Sequence, residues 1–197
     1  MVNIGVLISG GGTNLQAVID GCENKTINGQ VKLVISNNKN AFGLERAKKH
    51  NIKAICEKDE DKIIEILKEN EIELVILAGY LKIVSPKLIN EYRNRIINIH
   101  PSLIPAFCGK GYYGEKVHQG VIDYGVKVTG ATVHFVDEGA DTGPIIMQKT
   151  VKVKQDDDAK KLAARVLEVE HEILTKSISM FCENKITVQG RRVYIND

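Results

Sequence analysis

The chain has 197 residues, with 27 Lys and Arg against 25 Asp and Glu and a formal net charge of +2. That length suits one compact domain over residues 1–197, while the near balance of charge excludes a nucleic-acid footprint and the longest apolar runs, such as Leu74 to Ala78, are too short to cross a bilayer. Cys22, Cys56, Cys108 and Cys182 are scattered with no C-x-x-C pair, which excludes a zinc ribbon or redox motif and makes a reducing cytoplasm the expected setting.

Met1 leads straight into a first strand, with no signal peptide ahead of it. Val2 to Ile8 fills with aliphatics and ends at SGGGTN, after which Leu15, Ala17, Val18, Ile19 and Cys22 recur at helical spacing. Ser9 to Asn14 thus form a strand-to-helix turn, where backbone N–H groups and the helix dipole receive a phosphate. The spacing is not G-x-G-x-x-G, because Leu15 stands where the third glycine belongs. The second strand ends in Ser36-Asn37-Asn38 without the acidic residue that grips a dinucleotide's ribose, and no Lys-Ser or Lys-Thr completes a Walker pattern. A bare tight turn is the alternative. The side-chain donors of Thr13 and Asn14 favour the phosphate.

Val31 to Ile35 predicts a second strand and Ala41 to His50 a helix. Ile52 to Cys56 is a third strand, followed by a helix with the stripe Ile63, Ile64 and Leu67; Leu74 to Ala78 and Arg95 to Ile99 are the fourth and fifth strands. Apolar strands alternating with helices imply an α/β fold whose parallel sheet is covered on both faces.

The fifth strand hands over to NIHPSLIP. Asn98 and His100 are two apart, so they share one face at the carboxyl end of a parallel strand, where open α/β sheets place their chemistry. An amide donor and an imidazole stabilise an oxyanion and carry a proton, the needs of acyl transfer. A lone histidine would serve equally as a structural cap; the Asn-x-His pair and the pinning Pro101 and Pro105 argue for a site. The glycine-rich, aromatic loop CGKGYYG, Cys108 to Gly114, then precedes strands over Lys127 to Val136 and Ile145 to Val153. Cys108, with no activating partner in the sequence, reads as a plain loop cysteine. Between the two strands, DEGADTG sets Asp141 between Gly139 and Gly143. A carboxylate there would keep His100 protonated and raise its pKa; an Asx-type turn is the competing use of the same residues.

Asp156 to Asp158 supply negative charge at the start of a long helix reaching Asn184, and Ile186 to Ile195 predicts a terminal hairpin around Gln189-Gly190. The helix stripe runs through Ala163, Val166, Leu167, Ile173, Leu174 and Phe181, with Glu170 in phase. A charge there needs a partner, so Glu170 lines a polar ligand pocket or marks the stripe's edge. His171-Glu172 lacks the second histidine of a zinc helix.

Taken in order, LISGGGTNLQA, AFGLERA, LAGYLKIVSP, NIHPSLIP, GATVHFVDEGADTGPII and the late EH pair resemble the phosphoribosylglycinamide formyltransferase family over nearly the whole chain. NIHPSLIP and the D-x-G loop are shared with formyltransferases at large; SGGGTNL and the length pick out the glycinamide branch. The resemblance implies a Rossmann-like, mainly parallel seven-stranded sheet with helices on both faces, a long C-terminal helix and a terminal hairpin. It implies transfer of the formyl group of 10-formyltetrahydrofolate, a cosubstrate, to the amine of glycinamide ribonucleotide in de novo purine biosynthesis. Asn98, His100 and Asp141 then match a catalytic trio, with protonated His100 and Asn98 stabilising the oxyanion and Cys108 and Ser102 dispensable for chemistry. Gly12, Thr13, Asn14 and Glu170 match the substrate's phosphate and ribose site. Leu81, Lys82, Ile83 and Val84, with Asn98, Asp137, Glu138, Gly139, Ala140 and Asp141, match the folate site, largely through backbone groups. No metal, nucleic acid or membrane is expected as a partner, and the assembly is a monomer or homodimer. CGKGYYG departs from the family's shorter stretch, which leaves the roles of Lys110 and His118 open. A methionyl-tRNA formyltransferase would carry a basic C-terminal domain and a formyltetrahydrofolate deformylase an N-terminal regulatory one; this length suits neither. A non-catalytic sugar-phosphate or nucleotide-binding module is the remaining alternative.

Overall fold

The computed structural model describes residues 1–196. Strand and helix alternate through β1 (Val2–Ile8), α1 (Thr13–Glu23), β2 (Gly29–Ser36), α2 (Phe42–Lys49), β3 (Lys53–Cys56), α3 (Glu60–Glu69), β4 (Leu74–Leu77), α4 (Pro86–Glu91) and β5 (Ile96–His100). There follow α5 (Glu115–Tyr124), β6 (Val128–Phe135), β7 (Ile145–Lys152), α6 (Ala159–Cys182) and a hairpin of β8 (Ile186–Gln189) and β9 (Arg192–Ile195). The seven-stranded sheet has the order β3-β2-β1-β4-β5-β6-β7; β1 to β5 are parallel, and β6 and β7 are antiparallel. The chain walks outward from β1 to β3 and then returns to lay β4 against the other side of β1. The crevice at the carboxyl ends of β1 and β4 is therefore the topological switch point, the usual binding position of such a sheet.

The alternation of side chains along each strand sorts the core into two layers. Ile4, Val6 and Ile8 join Ile76, Ile97 and Ile99 under α1 and α6, whereas Leu7, Val75, Leu77 and Ile96 lie on the opposite face against α3 and α4. Asn98 and His100 continue the Ile96 face of β5. Beyond Ile96 the helical cover gives way to a cavity, so the same alternation that buries Ile96 aims the amide and the imidazole into open space.

Two helices, α4 and α5, lie in stretches to which the sequence assigns no element. Ser85 accepts the Leu88 N–H at 3.4 Å ahead of Pro86, an N-terminal signal for α4, but the helix has only 6 residues and too little periodicity to register. Helix α5 follows directly on the glycines of CGKGYYG and buries only Val117, His118 and Val121, a stripe too narrow to stand out. The acidic start of α6 is as expected: Asp158 caps it by accepting the Lys161 N–H at 2.7 Å.

Candidate active site

A cavity of about 310 Å³ opens at the carboxyl ends of β4 and β5. Asn98, His100 and Asp141 meet in it although they come from β5 and from the loop between β6 and β7. Asp141 adopts a left-handed backbone, φ 57°, which turns its side chain back onto the sheet. Its carboxylate lies 3.6 Å from His100 Nδ1 and 3.5 Å from Asn98 Nδ2, and it accepts the Gly109 N–H at 2.8 Å. Leu81, Lys82, Ile83 and Val84 line the cavity, as do Asp137, Gly139 and Ala140. Glu138 is not among the residues lining the cavity; its side chain turns outward to Arg93, 2.5 Å away, which leaves its backbone as the part that stays with the acidic loop.

The site holds a second histidine that the sequence reading missed. His134 on β6 is 2 % exposed and is the register partner of Asn98. Its Nδ1 lies 2.8 Å from the Phe135 carbonyl, which can only accept, so Nδ1 carries the proton. Nε2 is then an acceptor and receives the Asn98 amide at 3.1 Å, which fixes which end of that amide faces Asp141. The available signal was a histidine in the middle of an otherwise buried strand; only the register of β5 with β6 gives it meaning.

Electrostatics overturn one expectation. Burial pushes the His100 pKa below its ordinary value, against the upward pull of Asp141 and of the Phe107 carbonyl. The carboxylate is present as foreseen, yet 3.6 Å of separation leaves it weaker than the loss of water around a ring that is 5 % exposed. His100 therefore rests neutral, with Nε2–H donating to the Phe107 carbonyl at 2.9 Å and Nδ1 facing Asp141. Burial alone would raise Asp141, but the neighbouring His134 and His100 rings and the Gly109 N–H hold its carboxyl below the usual range.

The segment after His100 is tied at many points. Ser102 is fully buried and donates to the Ala106 carbonyl at 2.6 Å; Thr132 donates to the Ser102 carbonyl at 2.7 Å and accepts the Ile104 N–H at 3.1 Å. Cys108 donates weakly to the Pro105 carbonyl, and burial raises its pKa, so it is no thiolate nucleophile. CGKGYYG now has a place, since Lys110, Tyr112 and Tyr113 line the cavity opposite Leu81 and Ile83. His118 does not reach it: the ring is 4 % exposed beneath α5, and its pKa is lowered by burial.

A second polar corner adjoins the first. Asn14 on α1 donates to Glu170 on α6 at 2.8 Å, joining two buried residues 156 positions apart. Burial raises the Glu170 pKa, and the Asn14 hydrogen bond opposes that rise. The Asn14 Oδ1 is buried without a partner. Gly12 and Thr13 stand at the start of α1, which has no side-chain cap. Among the described residues, the backbone N–H groups of Gly11, Gly12, Thr13 and Asn14 donate to nothing, the arrangement that suits an anion. Ser9 links the corner to the cavity, its N–H on the Gly79 carbonyl at 3.2 Å and its hydroxyl accepting the Leu81 N–H at 2.9 Å. Among the described residues no group of three or more His, Cys, Asp or Glu is disposed to hold a metal ion, and no helix is long and apolar enough to cross a membrane.

An open α/β sheet that brings an amide, an imidazole and a carboxylate together at the carboxyl ends of β4 and β5, next to its switch point, has the groups that acyl or formyl transfer needs. The sequence profile of the formyl transferase family matches residues 2–178. The chain belongs to that family. Phosphoribosylglycinamide formyltransferase of Haemophilus influenzae is 37% identical over 206 residues, covering 100% of this chain and 94% of the relative. The chloroplastic phosphoribosylglycinamide formyltransferase of Vigna unguiculata is 40% identical over 192 residues, covering 93% of this chain; the chain spans 62% of that relative's length. Glycinamide ribonucleotide transformylase 1 from Symbiobacterium toebii superposes with a TM-score of 0.94 at 43% identity, covering 100% of this chain and 95% of that one.

Proposed function

We propose that the chain transfers the formyl group of 10-formyltetrahydrofolate to the amine of glycinamide ribonucleotide, a step of purine biosynthesis. The observation that carries the reading is the meeting of Asn98, His100 and Asp141 in an apolar-walled cavity beside a loop of free backbone N–H groups. The flat donor takes the cavity between Leu81 and Ile83 and the acidic loop. The ribonucleotide takes Gly12, Thr13 and Asn14 with its phosphate and Glu170 with its ribose. Four free cysteines fit a reducing compartment such as the cytoplasm.

The neutral amine attacks the formyl carbon, and the Asn98 amide donates to the oxyanion that develops. Neutral His100 takes a proton from the amine nitrogen through water, and the imidazolium so formed is held by Asp141 and reinforces the oxyanion's stabilisation. Attack has already made the new C–N bond; collapse re-forms the formyl C=O and breaks the bond from carbon to the folate nitrogen, which receives the proton from His100. One proton moves from amine to leaving nitrogen, and no covalent enzyme intermediate arises. His100 starts uncharged in this scheme because of its burial.

Formyl transfer from 10-formyltetrahydrofolate is to be measured with glycinamide ribonucleotide, methionyl-tRNA and water as acceptors. Turnover is expected with the ribonucleotide alone and is expected to fall roughly a hundredfold or more in Asn98→Ala. Near-normal turnover in Asn98→Ala or His100→Ala would refute the assignment.

A further inference from the structure

We propose that Arg46 on α2 is a positioning residue for the phosphate-binding loop, and that the AFGLERA helix exists in this chain to hold that loop's peptide planes. The proposal rests on the phosphate role given above to Gly12, Thr13 and Asn14. It starts from the loop's carbonyls rather than its N–H groups. The Gly10 carbonyl accepts the Gly43 N–H at 3.1 Å, and the Gly11 carbonyl accepts the Arg46 Nε–H at 2.9 Å. Both donors belong to α2. In a trans peptide the C=O and the following N–H point in opposite directions. Pinning the Gly10 and Gly11 carbonyls toward α2 therefore turns the Gly11 and Gly12 N–H groups away from it, where no protein group meets them.

Two features of the motif and one residue of α1 serve this one contact. Gly43 lets α2 approach: a Cβ there would lie 2.4 Å from Ile8, and a Cβ on Gly12 would lie 2.8 Å from the Gly43 Cα. Phe42 lies under the Arg46 guanidinium, 5.1 Å from the ring centroid, and limits its rotamers. Gln16 on α1 accepts from Arg46 Nη1 at 3.3 Å and is itself held by Asp20 at 2.8 Å, so the guanidinium is fixed from a second side. Both hydrogen bonds of Arg46 go to neutral oxygens, so its charge stays uncancelled beside the Gly11 carbonyl and polarises the peptide unit that ends in the Gly12 N–H.

The test compares Arg46→Met, which removes donor and charge, with Arg46→Gln, whose amide N–H stands as far from the backbone as arginine's Nε. Amide resonances of Gly11, Gly12 and Thr13 are followed while inorganic phosphate is added, and steady-state constants are measured for both substrates. Arg46→Met is expected to weaken phosphate binding and raise KM for the ribonucleotide about tenfold, with kcat and the donor's KM within about twofold. Arg46→Gln is expected to stay within about threefold of wild type throughout. Unchanged phosphate affinity in Arg46→Met, or parallel rises in both KM values with a falling Tm, overturns the proposal. Should Arg46→Met fail to fold, Arg46→Gln decides, because a tenfold loss there would mean charge without positioning. Wild-type protein that transfers no formyl group but still shifts these amides with phosphate would sink the functional reading and leave this one standing.

Discussion

Asn98 has one amide nitrogen and several claims on it. The hydrogen bond from Asn98 to His134 Nε2 sets the amide's orientation, so His134→Leu is expected to lower kcat about tenfold while leaving both KM values near wild type. Asp141→Asn removes the charge that steadies the imidazolium and should cost more, with the same assay deciding the order. His100 gives the pH dependence. Its lowered pKa and its role as proton acceptor mean that activity is lost as pH falls through that pKa, so the acid limb of kcat/KM is expected below the ordinary histidine range. Activity that instead falls as pH rises through the histidine range would mean that His100 acts from its charged form. Asn98 and His100 were legible as a pair because they share a strand; Asp141 left an Asx-type turn as an equal reading, and only the family resemblance joined it to them. His134 was not legible, because its significance lies in a cross-strand partner 36 residues away. Nor was the direction of the His100 shift: the sequence names the carboxylate but not the depth of burial, and burial wins.

The segment from Pro101 to Gly114 works as a single element. Its first part is anchored through Ser102, Thr132 and Gln148; its middle supplies the Phe107 carbonyl to His100 and the Gly109 N–H to Asp141; its last part forms a wall of the cavity. Ser102→Ala is therefore expected to lower Tm while sparing the chemical step, since its hydroxyl binds only the Ala106 and Phe107 carbonyls. Tyr113 is held by Lys116, whose ammonium lies 4.6 Å from the ring centroid and donates to its hydroxyl at 2.9 Å. Tyr113→Ala is expected to raise the donor's KM several-fold, on the order of 1 kcal/mol of lost aromatic contact, with the ribonucleotide's KM unchanged. Glycines obscured this element in the sequence: they read as slack chain, whereas Gly109 and Gly111, at φ 83° and 95°, are where the backbone makes its turns toward the cavity.

For the molecule as a whole, Glu170 sets function against stability. Its folded-state pKa is raised, so the native state keeps the proton where the unfolded chain has lost it, and stability falls as pH rises through that window. Glu170→Gln removes the buried charge and is expected to melt higher than wild type at neutral pH, to lose the pH dependence, and to bind the ribonucleotide worse. Thermal melts across pH, paired with KM, check all three. Most of the fold followed from strand-length apolar runs alternating with helical stripes; the order of strands did not, since only the return of β4 to the flank of β1 creates the crevice.

Ser9 belongs to both halves of that crevice, its amide on Gly79 and its hydroxyl under the Leu81 N–H, one residue before the glycines begin. A ligand that stiffens either rim therefore acts on the other through a single small side chain. The two substrates should be thermodynamically linked, with each changing the other's dissociation constant by the same factor, as reciprocity demands. Titrating the ribonucleotide with and without folic acid, and folic acid with and without the ribonucleotide, measures that factor twice, and Ser9→Ala should bring it toward unity.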